Sequence, residues 1–174
     1  AELAMRRAEY IAMLAPFAKE KHAFLTDGAE TLEISSDKHY GDDKEEIEKR
    51  LLAEFEANYE KDVKLGFTTV GPHRDDLKIL INGTEARVYG SQGQARTAAL
   101  AIKLAEVEIF QKTAGESPVL ILDDVMSELD LARRRKLLAE IDGIQTILTC
   151  THTEKVLFGK TVNKIRIVGG KIKR

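Results

Sequence analysis

Residues 119–124 read Val-Leu-Ile-Leu-Asp-Asp, and this short stretch decides the fold class of the chain. Four consecutive apolar residues between Pro118 and two acids are typical of a strand buried on both faces of a parallel sheet. The carboxyl end of such a strand lies at the edge where open α/β sheets bind their ligands. Asp123 and Asp124 are therefore candidate ligand-binding carboxylates, although a strand that simply ends in two solvated acids fits the pattern equally well.

The elements around this strand alternate between helix and strand. An apolar helix is predicted from about Gln94 to Thr113, another helix at 131–141 and a second buried strand at Gln145–Cys150. This order predicts an α/β fold with a mostly parallel sheet, flanking helices and right-handed crossovers. A short helix at 153–158 and a hairpin around Gly169-Gly170 complete the chain.

Residues 1–65 are predicted to form part of a helical lobe. Helices at 1–24 and 42–64 carry apolar residues at helical spacing, and Thr31–Ser36 alternates as a short strand between them. Composition changes after residue 65, and residues 66–174 form the α/β part.

The start of the α/β part is predicted to contain extended chain. Phe67–Val70 is strand-like and stops at a Gly-Pro pair. Leu77–Ile81 and Ala86–Tyr89 flank Asn82-Gly83, a pair that strongly favours a tight hairpin turn. A β-hairpin is therefore predicted at residues 77–89.

Composition limits the classes of protein to which the chain can belong. It has 174 residues, of which 43% are hydrophobic and 32% charged, so it can bury a real core. The formal net charge of −2 does not indicate a nucleic-acid-binding protein, although six basic residues and no acidic ones lie between Lys160 and Arg174. Cys150 is the single cysteine, which predicts a reducing, cytoplasmic location. No apolar run approaches the roughly 20 residues of a membrane span, so no membrane contact is expected.

Ser-Gln-Gly-Gln at residues 91–94 directly precedes the apolar helix. A serine hydroxyl and free backbone N–H groups at a helix N-terminus can bind an anion, and Gly93 allows a ligand to approach the backbone closely. The alternative is that Ser91 is an ordinary N-cap, which needs no ligand.

Two further polar positions follow the acid pair along the chain. Asp130 precedes the helix at 131–141 and is well placed to cap it. His152 follows the second buried strand and can reach the same edge of the sheet, although a lone histidine at a strand end is more often a surface residue. The basic run at 133–136 is interpreted as a solvated helix face or, alternatively, as a phosphate-contacting patch.

The order and spacing of these motifs are more specific than any one of them. Over residues 66–160 they resemble the head of an ABC-type ATPase, with a signature motif, a Walker B strand, a D-loop and an H-loop. Three stretches narrow the resemblance: Gly-Pro-His-Arg-Asp-Asp-Leu at 71–77, Tyr-Gly-Ser-Gln-Gly-Gln-Ala-Arg-Thr at 89–97 and Leu-Asp-Asp-Val-Met-Ser-Glu-Leu-Asp at 122–130. All three resemble the RecF family, bacterial recombination mediators close to the SMC group.

The resemblance implies a role for each candidate residue. Asp123 would coordinate Mg²⁺, Asp124 would be the general base or position the attacking water, and His152 would lie near the γ-phosphate. ATP-binding positions at the interface between two subunits would be Ser91, Gln92, Gly93, Gln94 and Asp130.

The resemblance also implies a function and partners. Proteins of this family dimerise with ATP, bind gapped DNA with single- and double-stranded parts, and help to load RecA together with RecO and RecR. Residues 1–65 would be part of helical lobe II, and residues 66–174 the C-terminal part of the ATPase head. The alternatives are a non-enzymatic DNA- or partner-binding module and another SMC-like or transporter-type head.

The chain contains no phosphate-binding loop of the form G-x-x-x-x-G-K-[ST]. Gly-Lys-Thr at 159–161 supplies the last three letters, but the first glycine would have to stand at position 154, which is Glu154. Because ABC heads carry this loop near their N-terminus, the chain is expected to be about the C-terminal half of a longer protein. We expect it to be inactive as an ATPase on its own.

Overall fold

The computed structural model describes residues 1–151 and 162–173. Its helices and strands, in chain order, are α1 (Glu2–Thr26), β1 (Leu32–Ser36), α2 (Lys44–Leu65), β2 (Leu77–Ile81), β3 (Thr84–Glu85), α3 (Ala86–Tyr89), α4 (Gln92–Ala114), β4 (Leu120–Leu122), α5 (Leu131–Glu140), β5 (Thr146–Leu148), β6 (Arg166–Val168) and β7 (Lys171–Lys173). A 3-10 turn at Val125–Glu128 connects β4 to α5.

The described strands form three small sheets. β1, β2 and β3 are antiparallel, with Leu32 opposite Ile81, and β6 pairs with β7 in the predicted C-terminal hairpin. β4 and β5 are parallel, with Ile121 opposite Ile147, and α5 lies in the connection between them. The predicted parallel pair and its helical crossover are therefore confirmed.

The larger of two hydrophobic clusters among the described residues extends over both parts of the chain, whereas the smaller one joins the start of α1 to α2. α1 packs along α4, where Ala18 and Ala101 are completely buried, and the same core contains Leu104 from α4 and Leu137 from α5. β1, from the first 65 residues, pairs with β2 from the second part. The division at residues 65 and 66 stays a prediction, but the two segments share a core.

The helix boundaries follow from local capping chemistry. The Asp43 side chain accepts the backbone N–H of Glu46 and caps the start of α2. The helix ends at Gly66, which adopts the left-handed conformation that glycine enters without steric cost.

Two predicted strands are wrong. Residues 67–70 are irregular because side chains, not a neighbouring strand, satisfy their polar groups: Asp62 accepts both the N–H and the hydroxyl of Thr69, and Arg74 binds the carbonyl of Thr68. Residues 86–89 form the single helical turn α3, which the N–H of Gly90 closes on the carbonyl of Ala86. The Asn82-Gly83 turn itself is confirmed, since both residues have positive φ.

Three sequence-based expectations lie outside the described residues: the helix at 153–158, the role of His152, and the environment of residues 159–161. Among the helices in residues 1–151 and 162–173, none is long and apolar enough to cross a bilayer.

Candidate functional site

The acid pair stands at the carboxyl end of β4 and is fixed from the end of β5. The Thr149 hydroxyl donates to Asp123 Oδ1 at 2.5 Å and accepts the backbone N–H of Asp124 at 2.9 Å. The N–H of Thr149 in turn donates to the carbonyl of Leu122 at 3.0 Å, which extends the parallel ladder. One threonine therefore orients the Asp123 carboxylate and the backbone that carries Asp124, and both acids remain exposed.

The backbone turns sharply at Asp124. Its φ of 50° and ψ of 16° lie in the left-handed region, which aspartate and asparagine enter more easily than most other side chains. The next turn closes onto it, because the N–H and the hydroxyl of Ser127 both donate to the Asp124 carbonyl. Met126, between them, is completely buried and anchors the turn to the core.

The site can offer a metal ion only a small number of protein ligands. Within residues 1–151 and 162–173 there is no group of three or more His, Cys, Asp or Glu side chains placed to hold a metal. Asp123 and Asp124 instead present exposed carboxylates, a donor set that suits a hard cation that keeps most of its waters. These carboxylates fit Mg²⁺ bound mainly through water and substrate phosphates.

The serine turn, residues 91–94, begins α4 with a capping box. The N–H of Gln94 donates to Ser91 Oγ at 3.2 Å, and the N–H of Ser91 donates to Gln94 Oε1 at 2.9 Å. The N-cap interpretation of Ser91 is therefore confirmed. A capped helix start still presents the free N–H groups of its first turn, so the capping does not argue against an anion site.

Gly90, just before the serine turn, and Gly93, within it, differ in whether the fold requires glycine at that position. A Cβ on Gly90 would lie 2.4 Å from the carbonyl oxygen of Ala86, so the fold itself needs glycine there. A Cβ on Gly93 would meet only Ser91 Oγ, at 4.0 Å, and its φ is not positive. Nothing in the described part of this chain therefore requires glycine at position 93.

Asp130 caps α5, as the sequence predicts. Its carboxylate accepts the N–H of Arg133 at 2.9 Å and the Arg133 guanidinium at 3.1 Å. An ion pair of 3.0 Å between Arg96 and Glu128 ties the start of α4 to the 3-10 turn just before Asp130. The structure therefore brings the serine turn and the loop before α5 together, and Thr149 joins the acid pair to β5.

The basic run at 133–136 is largely engaged within the chain. Arg133 binds Asp130, Arg134 donates to the carbonyl of Leu129, and Lys136 pairs with Asp27 at 2.6 Å. These contacts favour a structural role for the run. The β6–β7 hairpin instead exposes basic side chains on both strands.

Two residues that contact the site were not identified from the sequence. Thr149 touches both acids, and Glu30 binds Gln94 from the loop after α1. A polar residue at the end of the second parallel strand could have indicated Thr149, because the ends of adjacent parallel strands meet at the ligand edge. Glu30 is 64 residues from its partner, and no local pattern indicates it.

Curated proteins of the same kind match most of this chain. DNA replication and repair protein RecF of Ruminiclostridium cellulolyticum is 43% identical over 172 residues, which cover 95% of this chain and 46% of that protein. RecF of Lachnoclostridium phytofermentans is 50% identical over 134 residues, covering 77% of this chain and 36% of that protein. The chain spans about half the length, or less, of the curated relatives it matches.

Solved structures give the same result, whereas no family model matches the chain. The recombination mediator protein RecF-ATPrS in the RecFOR pathway superposes with a TM-score of 0.77 at 38% identity, covering 95% of this chain and 44% of that one. RecF-ATP of the same pathway gives 0.70 at 40% identity, covering 86% of this chain and 40% of that one. The predicted mixed α/β ATPase-head fold is confirmed. From this identity and the shared fold, the chain belongs to the RecF family of DNA replication and repair proteins.

Proposed function

We propose that this chain supplies one half of an ATP site in a RecF-type DNA-repair ATPase, and that the site is completed by a phosphate loop and a second subunit. The observation that carries the proposal is the acid pair at the end of β4, oriented by Thr149. The two solved relatives named RecF-ATPrS and RecF-ATP support a nucleotide as the ligand.

Asp123 would hold Mg²⁺ in this proposal. Its Oδ1 already accepts the Thr149 hydroxyl, so the orientation of the carboxylate is set before the ion arrives. The ion would supply positive charge against the developing charge of the transferred phosphoryl group. Asp124 positions the attacking water and accepts its proton. His152 contacts the γ-phosphate region by family resemblance.

The serine turn acts on the nucleotide of a partner subunit. Two heads pair head to tail about a two-fold axis, so each turn completes the site of the other. The Ser91 hydroxyl and the N–H groups of Gln92 and Gly93 face the γ-phosphate, and Gln94 holds the turn through the capping box. Asp130 lies at the same interface. The helix dipole favours an anion at this position.

DNA and mediator proteins are the remaining partners in the proposal. The exposed basic hairpin, with Arg166, Lys171 and Lys173, is the proposed contact for DNA phosphates. ATP-driven dimerisation in the cytoplasm would then engage gapped DNA, with single- and double-stranded parts, and with RecO and RecR would help to load RecA.

The side-chain hydroxyl of Thr149 can be tested directly. We use the name joined protein for a fusion in which the N-terminal segment of a RecF relative, with its phosphate loop, precedes this chain. Thr149→Val in the joined protein removes the hydrogen bond that orients Asp123, and we expect ATPase activity at limiting Mg²⁺ to fall about 10–100-fold, a size typical of residues behind a metal ligand. Thr149→Ser keeps the hydroxyl and is expected to retain activity. Equal activity of both variants would contradict the role given to Thr149.

A substitution at Gly93 can show whether the serine turn binds a ligand or has only a structural role. Gly93→Ala is expected to leave the stability of this chain unchanged or raise it by up to about 0.5–1 kcal/mol, because it meets no clash inside a helix. In the joined protein the same change is expected to weaken ATP-dependent dimerisation at least about tenfold, or 1.4 kcal/mol. Chemical denaturation and light scattering measure the two effects.

The matched control is Gly90→Ala, which should destabilise the chain because its Cβ would collide with the Ala86 carbonyl. If Gly93→Ala dimerises as well as the wild type, the serine turn does not contact the nucleotide. DNA binding by the wild-type joined protein, with no ATP-dependent dimerisation at all, would instead support a non-enzymatic binding module.

A further inference from the structure

Glu30 reaches the serine turn from the other end of the chain. It lies in the loop between α1 and β1, and its Oε1 accepts a hydrogen bond from Gln94 Nε2 at 2.9 Å. The Glu30 side chain is only 17% exposed. Burying a carboxylate is costly unless it is paired or hydrogen-bonded, so the bond from Gln94 offsets part of the cost of burying Glu30.

The bond fixes which way the Gln94 amide faces. An ionised carboxylate can only accept hydrogen bonds, so the NH₂ end of Gln94 must point at Glu30. The carbonyl end then faces the N–H of Ser91, which it accepts at 2.9 Å. Glu30 therefore sets the orientation on which one half of the capping box depends.

His22 backs the second oxygen of Glu30. This histidine is completely buried in α1, and its Nε2 lies 3.7 Å from Glu30 Oε2. Burial lowers the pKa of His22, with the nearby Arg133 charge acting in the same direction and Glu30 opposing it. Glu30 Oε2 has no hydrogen-bond partner within the described part of the chain, and the His22 ring interacts with the backbone of Glu30 without a well-formed hydrogen bond. Buried polar atoms left in this state are rare and call for an explanation.

We infer that Glu30, backed by His22, is a positioning residue that holds Gln94 and thereby presents Ser91 and Gly93 to the phosphate of a nucleotide. The inference rests on the proposed function of the serine turn. Glu30 does not touch the nucleotide, and it acts through Gln94.

Hydrogen exchange at the Ser91 amide of this chain tests the inference without any nucleotide, because it measures the hydrogen bond from Ser91 to Gln94. Glu30→Gln offers Gln94 either an acceptor or a donor, so the Gln94 amide is no longer held in one orientation. The exchange rate is expected to rise about two- to tenfold, the worth of one net hydrogen bond. Gln94→Glu should raise it too, because two carboxylates would face each other. The double variant Glu30→Gln/Gln94→Glu should restore protection, because the new carboxylate accepts from both Ser91 and the new amide. Unchanged exchange in Glu30→Gln, or no restoration in the double variant, overturns the inference.

Dimerisation of the joined protein tests the link to ATP. Glu30→Gln is expected to weaken ATP-dependent dimerisation at least about fivefold, a common size for coupling between sites. Glu33→Gln, the loss of an exposed carboxylate three residues away, should leave dimerisation as in the wild type. If the wild type and Glu30→Gln dimerise equally well with ATP, the positioning role of Glu30 is overturned while the proposed function stands. A wild type that does not dimerise with ATP refutes the proposed function, and the role given to Glu30 fails with it.

Discussion

Replacing Asp124 by asparagine in the joined protein is expected to lower ATP hydrolysis by about 10²–10⁴-fold, the usual contribution of a general base. Asparagine keeps the size of the side chain and accepts the left-handed backbone that Asp124 adopts at φ 50°. The two hydrogen bonds from Ser127 go to the main-chain carbonyl and survive the change. The fold and ATP-dependent dimerisation should therefore persist, and phosphate release at saturating ATP measures the loss.

Two comparisons make the Asp124 result interpretable. Asp42→Asn removes a carboxylate that is 94% exposed near the start of α2, and it should not change the rate of hydrolysis. The 174-residue chain alone should not hydrolyse ATP, since its sequence has no G-x-x-x-x-G-K-[ST] stretch. Hydrolysis by the purified chain that disappears with Asp124→Asn would refute the half-site proposal, and a loss smaller than about tenfold in the joined protein would refute the general-base role.

Patterns confined to a few neighbouring residues were sufficient for most of the fold. The apolar run before Asp123 predicts the position of β4, because four apolar residues between breakers fit a strand. The predicted burial on both faces is wrong, since Ile121 in β4 is 67% exposed and Ile147 in β5 is 54% exposed. Asp130 predicts the start of α5 because an N-cap bonds to a backbone group three residues later. Asn82-Gly83 predicts its turn because both residues tolerate positive φ.

Sequence patterns failed where the structure depends on residues distant in the chain, or on which of two competing local hydrogen bonds forms. The Asn82-Gly83 turn predicts a strand at residues 86–89, but a helical turn closed by Gly90 replaces the second half of the hairpin after Glu85. Thr149 lies 26 residues from Asp123, and Glu30 lies 64 residues from Gln94. Both contacts exist only because strand pairing and the packing of α1 on α4 bring those residues together. The acid pair could therefore be identified from the sequence, whereas the side chains that orient the site could not.

Leu25→Ala and Leu137→Ala are each expected to lower the free energy of unfolding of this chain by about 2–5 kcal/mol, the usual range for a buried leucine cut back to alanine. Leu25, in α1, is 2% exposed, and Leu137, in α5, is completely buried, yet both belong to one core cluster. Since a typical domain is stable by only about 5–15 kcal/mol, each loss is a large share of the total. Both variants should move the same cooperative urea transition, followed by circular dichroism and by hydrogen exchange.

The unfolding experiment also tests whether the sequence boundary after residue 65 is an energetic one. If the first 65 residues folded as a separate lobe, Leu25→Ala would shift a transition that Leu137→Ala leaves in place. The shared core and the pairing of β1 with β2 argue for one transition instead. Leu52→Ala, at a 60% exposed position of α2, should change stability by less than about 0.5 kcal/mol and controls for loss of side-chain volume at the surface. One transition would mean that α1, which leads directly into the Glu30 loop, is held by the same core as the helix that carries the serine turn.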